Sequence, residues 1–266
     1  MTRFSRPGVP ALLSAASREV NAVGAATRSS RLARDNLRDG EQLSYDSSLC
    51  VGPGMPRSHR GIPVSPRPRY GPRAVRSGAV LIYSMGVSVD GFIADREGEF
   101  GWTVHDEELF GFHLARVREL GCHLCGRKLY ETMLVWETDP SLRDTELHAA
   151  FADVWCALPK VVFSRTLDSV QGNARLAEGS VAEEVAAALG ATDEDVEIGG
   201  AGLAATAIKL GLVDELRMFR HPIVVGGGTP FLPPVSEDIL LELIETRTFG
   251  SRVIYERYRR IRGDND

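Results

Sequence analysis

The chain has 266 residues, 43% hydrophobic and 25% charged, which are the proportions of an ordinary soluble globular protein of one large or two small domains. No run approaches the roughly 18 apolar residues that span a bilayer, which excludes an integral membrane protein. Four cysteines in such a length make no disulfide scaffold, so a reduced cytoplasmic setting is the default, and a net charge of −5 speaks against nucleic acid as the main partner.

That average conceals two segments. Residues 1–78 hold 13 Arg, no Lys and five acidic residues, a net charge of +8, whereas the remaining 188 carry −13. Eight of the 14 prolines also fall in the first segment. Apart from a weak helical pattern near Ala11 to Val23 it shows no apolar period. It cannot bury enough apolar surface to offset its chain entropy, and reads as a disordered extension. Its Arg- and Ser-rich, acid-poor composition allows three readings. They are an organelle transit peptide, a basic tail that touches nucleic acid or an anionic membrane, and an unselected extension ahead of the true start. The third fits a chain in which Arg outnumbers Lys 28 to 3. A folded domain is expected over residues 79–262.

From Gly78 onward strands and helices alternate. Ala79 to Val89 is apolar and β-branched, and reads as a buried first strand ending before Gly91. Asp106 to Leu120 has an apolar helical stripe with acids in its first turn. A short strand over Cys122 to Cys125 stops at Gly126, and a helix is predicted from Lys128 to Trp136. A second helix over Thr145 to Leu158 is ended by Pro159, and Lys160 to Ser164 is a strand. Ser180 to Leu189 is helical, with Ser180 and Glu183 spaced as a capping box. Val196 to Ile198 is a strand that enters a glycine turn, then an Ala-rich helix runs from Ala201 to Leu210. Glu215 to Val225 is strand-like but interrupted by Pro222. Leu240 to Thr248 and Arg252 to Arg260 flank Phe249-Gly250-Ser251 as a hairpin. The predicted fold is α/β, a three-layer and mainly parallel sheet with a C-terminal antiparallel hairpin.

In such a sheet ligands lie outside the carboxyl ends of the strands. Those ends carry Ser88 to Gly91, Gly126-Arg127-Lys128, Ser164-Arg165, Gly199 to Gly202 and Gly226 to Thr229. Glycines let the backbone approach a phosphate, and a helix N-terminus offers free N–H groups. The bland alternative is a tight strand-to-helix turn. Gly200-x-Gly202-x-x-Ala205 matches the dinucleotide fingerprint formally, but it lies late in the chain and lacks the acid about 20 residues on. Two basic strand ends beside a glycine loop point to a phosphorylated cofactor, and paired cations favour NADPH over NADH. Cys122 and Cys125 are three apart in a strand, so they point to opposite faces and read as buried free thiols; no metal is expected. Asp106, Glu107 and Glu108 suit a proton relay, but three acids at a helix start are more often dipole partners. His105 and His113 have similarly weak claims.

Together these segments resemble the dihydrofolate-reductase-like superfamily, above all the reductase domain of bacterial riboflavin biosynthesis and its stand-alone relatives. The resemblance rests on five stretches in family order. They are Ser88-Val89-Asp90-Gly91-Phe92-Ile93-Ala94, Gly126-Arg127-Lys128-Leu129-Tyr130-Glu131, Lys160 to Leu167, Ile198-Gly199-Gly200-Ala201-Gly202, and Pro222 to Phe231. It implies an NADPH-dependent reductase that passes hydride to a pterin-like or ribosylamino-pyrimidine substrate, as a 5-amino-6-(5-phosphoribosylamino)uracil reductase does. By the same analogy Gly126, Arg127, Lys128, Ser164 and Arg165 hold the adenosine phosphates. Gly199, Gly200, Ala201, Gly202 and Leu203 cradle the pyrophosphate. Gly227, Gly228 and Thr229, with the Ser88 to Gly91 loop, lie near nicotinamide and substrate. Asp90 is the first candidate for a catalytic acid, and aligning Trp102 with the folate reductases' tryptophan makes Glu107 the second. Leu129 departs from the Thr that those enzymes carry. No zinc-deaminase signature precedes the domain. The resemblance further implies a homodimer with a small heterocyclic substrate and neither nucleic acid nor membrane as partner. The alternatives are a non-catalytic nucleotide- or drug-binding module of the same fold and a true dihydrofolate reductase.

Overall fold

Strand β1 (Leu81–Ser88) is the apolar run that follows Gly78, and every other part of the domain is built around it. The computed structural model describes residues 78–262. The extension expected over residues 1–78, with its readings as a transit peptide, a binding tail or an unselected segment, lies almost wholly outside the described residues.

Side chains of β1 alternate between two cores, as the two-residue strand period requires. Leu81, Tyr83 and Val87 pack with Val185 and Ala188 of helix α5 (Val181–Gly190) and with Ala204, Ala207 and Ile208 of α6 (Ala201–Lys209). Ile82 points the other way, to Leu114 of α1 (Glu107–Val117) and to Phe151 and Trp155 of α4 (Glu146–Ala157). Helices on both faces of one sheet make the three layers that the sequence predicted.

The sheet has eight strands in the order β5-β4-β3-β6-β1-β7-β10-β9. Here β3 is Leu120–Gly126, β4 Lys160–Phe163, β5 Ala174–Leu176, β6 Asp195–Gly199 and β7 Glu215–His221. All pairings from β5 to β7 are parallel. The hairpin of β9 (Leu241–Thr248) and β10 (Ile254–Arg260) closes the β7 side antiparallel.

Local signals placed the helices well. Asp106 caps α1 by accepting from Leu109 N at 2.7 Å, Thr145 caps α4, and the Ser180–Glu183 capping box opens α5. Three expectations are corrected. The helix predicted to Trp136 is α2 (Arg127–Met133) followed by a separate single turn, α3 (Val135–Thr138). The strand predicted to Val225 ends at His221, because Pro222 offers no N–H to a ladder. The expected set of elements also lacked strand β5 and a two-stranded ribbon of β2 (Phe92–Ala94) and β8 (Thr229–Pro230).

Between α1 and the sheet, β7 and β10 are joined through a buried charge cluster. Glu215 and Arg217, each 2% exposed, face one another at 3.2 Å, and Arg257 donates to both Glu215 oxygens at 2.7 and 2.9 Å. Buried guanidinium groups left without a carboxylate are costly. Glu215→Gln is therefore expected to lower the unfolding free energy by about 3 kcal/mol in urea titration of the full chain.

Candidate active site

The strand register lines up the predicted ligand-binding ends along one edge. Gly126 of β3 lies opposite Phe163 of β4, and Cys125 of β3 opposite Gly199 of β6. Ser164-Arg165, Gly126-Arg127-Lys128 and Gly199-Gly200 are therefore neighbours in that spatial order. Beyond β6 follow the C-terminal ends of β1 and β7, where Ser88 sits opposite His221.

The two glycine turns touch. Gly200 has φ +91°, and a Cβ there would lie 3.7 Å from Gly126 N. A Cβ on Gly126 would lie 4.0 Å from Leu203, whereas one on Gly202 would meet open space. Gly126 and Gly200 are the N-caps of α2 and α6, and neither provides a side-chain cap. The helix-opening amides of Ala201, Gly202 and Leu203 are thus left to another acceptor. Leu129 fills the space above Gly199, where a Cβ would collide with Leu129 Cδ2 and with His123 Cε1. This contact explains Leu at 129 in place of a hydroxyl: it packs the turn instead of facing the edge.

The cations beside this edge are exposed. Arg127 shares a 3.5 Å pair with Glu131, and both side chains are nearly half exposed. Neither Lys128 nor Arg165 has an ion-pair partner among the described residues. Ser164 is committed: its Oγ accepts from Thr166 N at 3.1 Å and Leu167 N at 3.0 Å, which fixes the turn that presents Arg165.

Asp90 lies in the loop that follows β1, beside the Gly226 to Gly228 loop. Its carboxylate accepts from Gly226 N at 2.7 Å and Val225 N at 3.2 Å. Hydrogen bonds from the Ser88 side chain and from these amides hold its pKa below the ordinary 3.8. Through the Val225 and Gly226 amides Asp90 acts as a latch on the glycine loop. On the other side of that loop Arg96 Nη2 donates to the Gly226 carbonyl. Gly227 and Gly228 have φ of +145° and +130°, and a Cβ on Gly228 would run into the Ala94 carbonyl and the Asp95 backbone. Thr229 is exposed in the ribbon, paired with Ala94. Glu107 is exposed in the first turn of α1, between the Asp106 cap and Glu108, which binds Arg247 at 2.7 Å and Gly250 N at 3.1 Å. The structure does not bring Glu107 and Asp90 into contact.

Cys122 and Cys125 are buried free thiols in different core clusters, as their spacing implied. No metal-binding group of three or more ligands occurs among the described residues. Residues that sequence reasoning did not single out are Arg96 and His221. His221 is 2% exposed at the end of β7, and its Nδ1 accepts from Val104 N at 3.0 Å. Both act through partners more than 100 positions away, so no local pattern marks them.

A model of the RibD C-terminal domain matches residues 79–255. The chain belongs to that family. The uncharacterised protein YyaP of Bacillus subtilis is 33% identical to this RibD C-terminal domain protein over 176 residues, 65% of this chain and 91% of the relative. Among solved structures, a protein of Shewanella sp. PV-4 assigned to riboflavin biosynthesis is 22% identical with a TM-score of 0.56. The match covers 69% of this chain and 99% of the Shewanella chain, and it shows a shared fold. A pyrimidine reductase-like protein of Corynebacterium diphtheriae is 15% identical with a TM-score of 0.49, covering 70% of this chain and 93% of that one.

Crowding at the strand edge can be tested directly. Gly199→Ala is expected to cost about 1–3 kcal/mol in urea unfolding, and adding Leu129→Ala should return part of that loss by clearing the space.

Proposed function

We propose that this chain is an NADPH-dependent reductase that transfers hydride to a ribosylamino-pyrimidine or pterin-like substrate, in the manner of 5-amino-6-(5-phosphoribosylamino)uracil reductases. The observation that carries this reading is the contact of Gly126 with Gly200. It places two uncapped helix starts and three exposed cations on one continuous strand edge. Membership of the RibD C-terminal domain family supports it.

The residues present fit a dinucleotide phosphate. At Gly200 and Gly202 the backbone can be approached without a Cβ in the way, and the free amides of Ala201 to Leu203 suit a pyrophosphate. Arg127, Lys128 and Arg165 suit a further phosphate on the β3–β4 side, with Arg able to bind two oxygens at once. When bound there, NADPH would supply the hydride, and the protein's part is to orient it and shape its field. Asp90 and Arg96 hold the Gly226 to Gly228 loop at the β1 end, the side on which the substrate is proposed to lie. Homodimerisation and a cytoplasmic setting belong to the same reading; no helix among the described residues is long and apolar enough to cross a membrane.

One observation favours a second reading. Asp90 is engaged as a latch and held ionised, which suits a module that binds the nucleotide without turnover. Loss of nicotinamide absorbance with 5-amino-6-(5-phosphoribosylamino)uracil separates the two. The proposal expects NADPH oxidation coupled one-to-one to substrate reduction, whereas binding without oxidation across pyrimidine and pterin substrates would favour the module. Arg127→Ala combined with Arg165→Ala should raise the KM for NADPH about 100-fold while changing that for NADH far less.

A further inference from the structure

His221 is the last residue of β7 and lies opposite Ser88 at the C-terminal end of β1. It shares a face of β7 with Phe219, whose ring packs against Phe112 and His113 of α1. The segment Trp102 to His105 passes over it. Val104 N–H donates to Nδ1 at 3.0 Å, the Trp102 ring stands edge-on at 5.8 Å, and the His105 ring lies 6.2 Å away. The opposite ring nitrogen, Nε2, sits above Gly86, 3.2 Å from where a Cβ would stand. A Cβ at position 86 would push on the ring, so the glycine lets His221 pack close against the β1 backbone.

An Nδ1 that accepts a hydrogen bond places the proton of the neutral ring on Nε2. Burial, with the charge of His105, pushes the pKa of His221 down to about 4, so the ring is neutral at physiological pH. Nε2–H is therefore a donor, and it has no hydrogen-bond partner among the described residues, although the residue is only 2% exposed. Nε2 is not itself fully buried, so this donor reaches open space and is available to an acceptor on a ligand. The donor lies at the substrate end of the edge, beyond the β3, β4 and β6 turns that carry the cations. A neutral donor does not select phosphate; it suits an uncharged ring carbonyl or ring nitrogen.

We infer that His221 Nε2–H orients the substrate by donating to a carbonyl or ring nitrogen of its heterocycle at the C-terminal ends of β1 and β7. This assignment rests on the reductase reading above. It makes His221 a substrate-contacting residue, set in place by Val104, with Trp102 as a side wall.

The test uses the full chain with NADPH and 5-amino-6-(5-phosphoribosylamino)uracil. His221→Asn retains an acceptor for Val104 N–H but removes the Nε2 donor, whereas His221→Gln carries an amide donor near the Nε2 position. The Asn variant is expected to raise the substrate KM about tenfold or more with an unchanged KM for NADPH, and the Gln variant to recover most of it. The ratio of Asn to wild-type KM should stay flat from about pH 5 to 8, because the ring is neutral throughout. An unchanged substrate KM in the Asn variant, beside normal wild-type turnover, would overturn the inference and leave the reductase reading standing. Equal losses in the two variants, accompanied by equal losses of Tm, would overturn it in favour of a structural role. A ratio that grows as pH falls would show a charged ring and overturn the neutral donor. No turnover by the wild type would remove the reductase reading and this inference together.

Discussion

The turn at Gly200, whose φ of +91° is one that a residue with a side chain rarely adopts, is the constraint on which this strand edge depends. It brings the end of β6 into contact with Gly126 at the end of β3, 3.7 Å from the position of a Cβ on Gly200 to Gly126 N. Both turns then open helices without a side-chain cap. The other helices that start afresh from a turn, α1, α4 and α5, are closed by Asp106, Thr145 and Ser180. Side-chain capping is thus absent at the two glycine turns of the strand edge and present at these three other helix starts.

A second set of interactions fixes the loop beyond that edge. Asp90 holds the amides of Val225 and Gly226 while Arg96 holds the Gly226 carbonyl, so the glycine loop is tied on both sides. The ribbon of β2 and β8 then carries Phe231 back over β1, where it stacks on Tyr83 with ring centroids 4.4 Å apart. Flexible residue types are here used to reach conformations with positive φ, and their neighbours restrain them. His221, enclosed by the Trp102 to His105 segment, stands at the paired ends of β1 and β7.

Much of this was legible in the sequence where the signal is local. The capping box of Ser180 and Glu183 needs only a three-residue spacing, and the opposed burial of Cys122 and Cys125 follows from the strand period. The strand-end glycines and cations were legible as a set because a parallel sheet puts all such ends on one side. Strand β5 was not, since three residues are too few to display alternation. The hydrogen-bond partners of Asp90 were not, because they lie 135 and 136 residues away. The acids at the start of α1 carry three different roles: Asp106 caps, Glu108 anchors the β9–β10 turn and Glu107 is exposed. Composition alone cannot separate them, because all three satisfy the same helix-dipole preference.

The most direct test of the account is a calorimetric titration of the full chain with NADPH and NADH in parallel. The strand edge, with Arg127, Lys128 and Arg165 beside the Gly126–Gly200 contact, predicts binding of both with NADPH at least about tenfold tighter. Failure to bind either nucleotide would contradict it, and would make the two glycine turns devices of chain geometry alone.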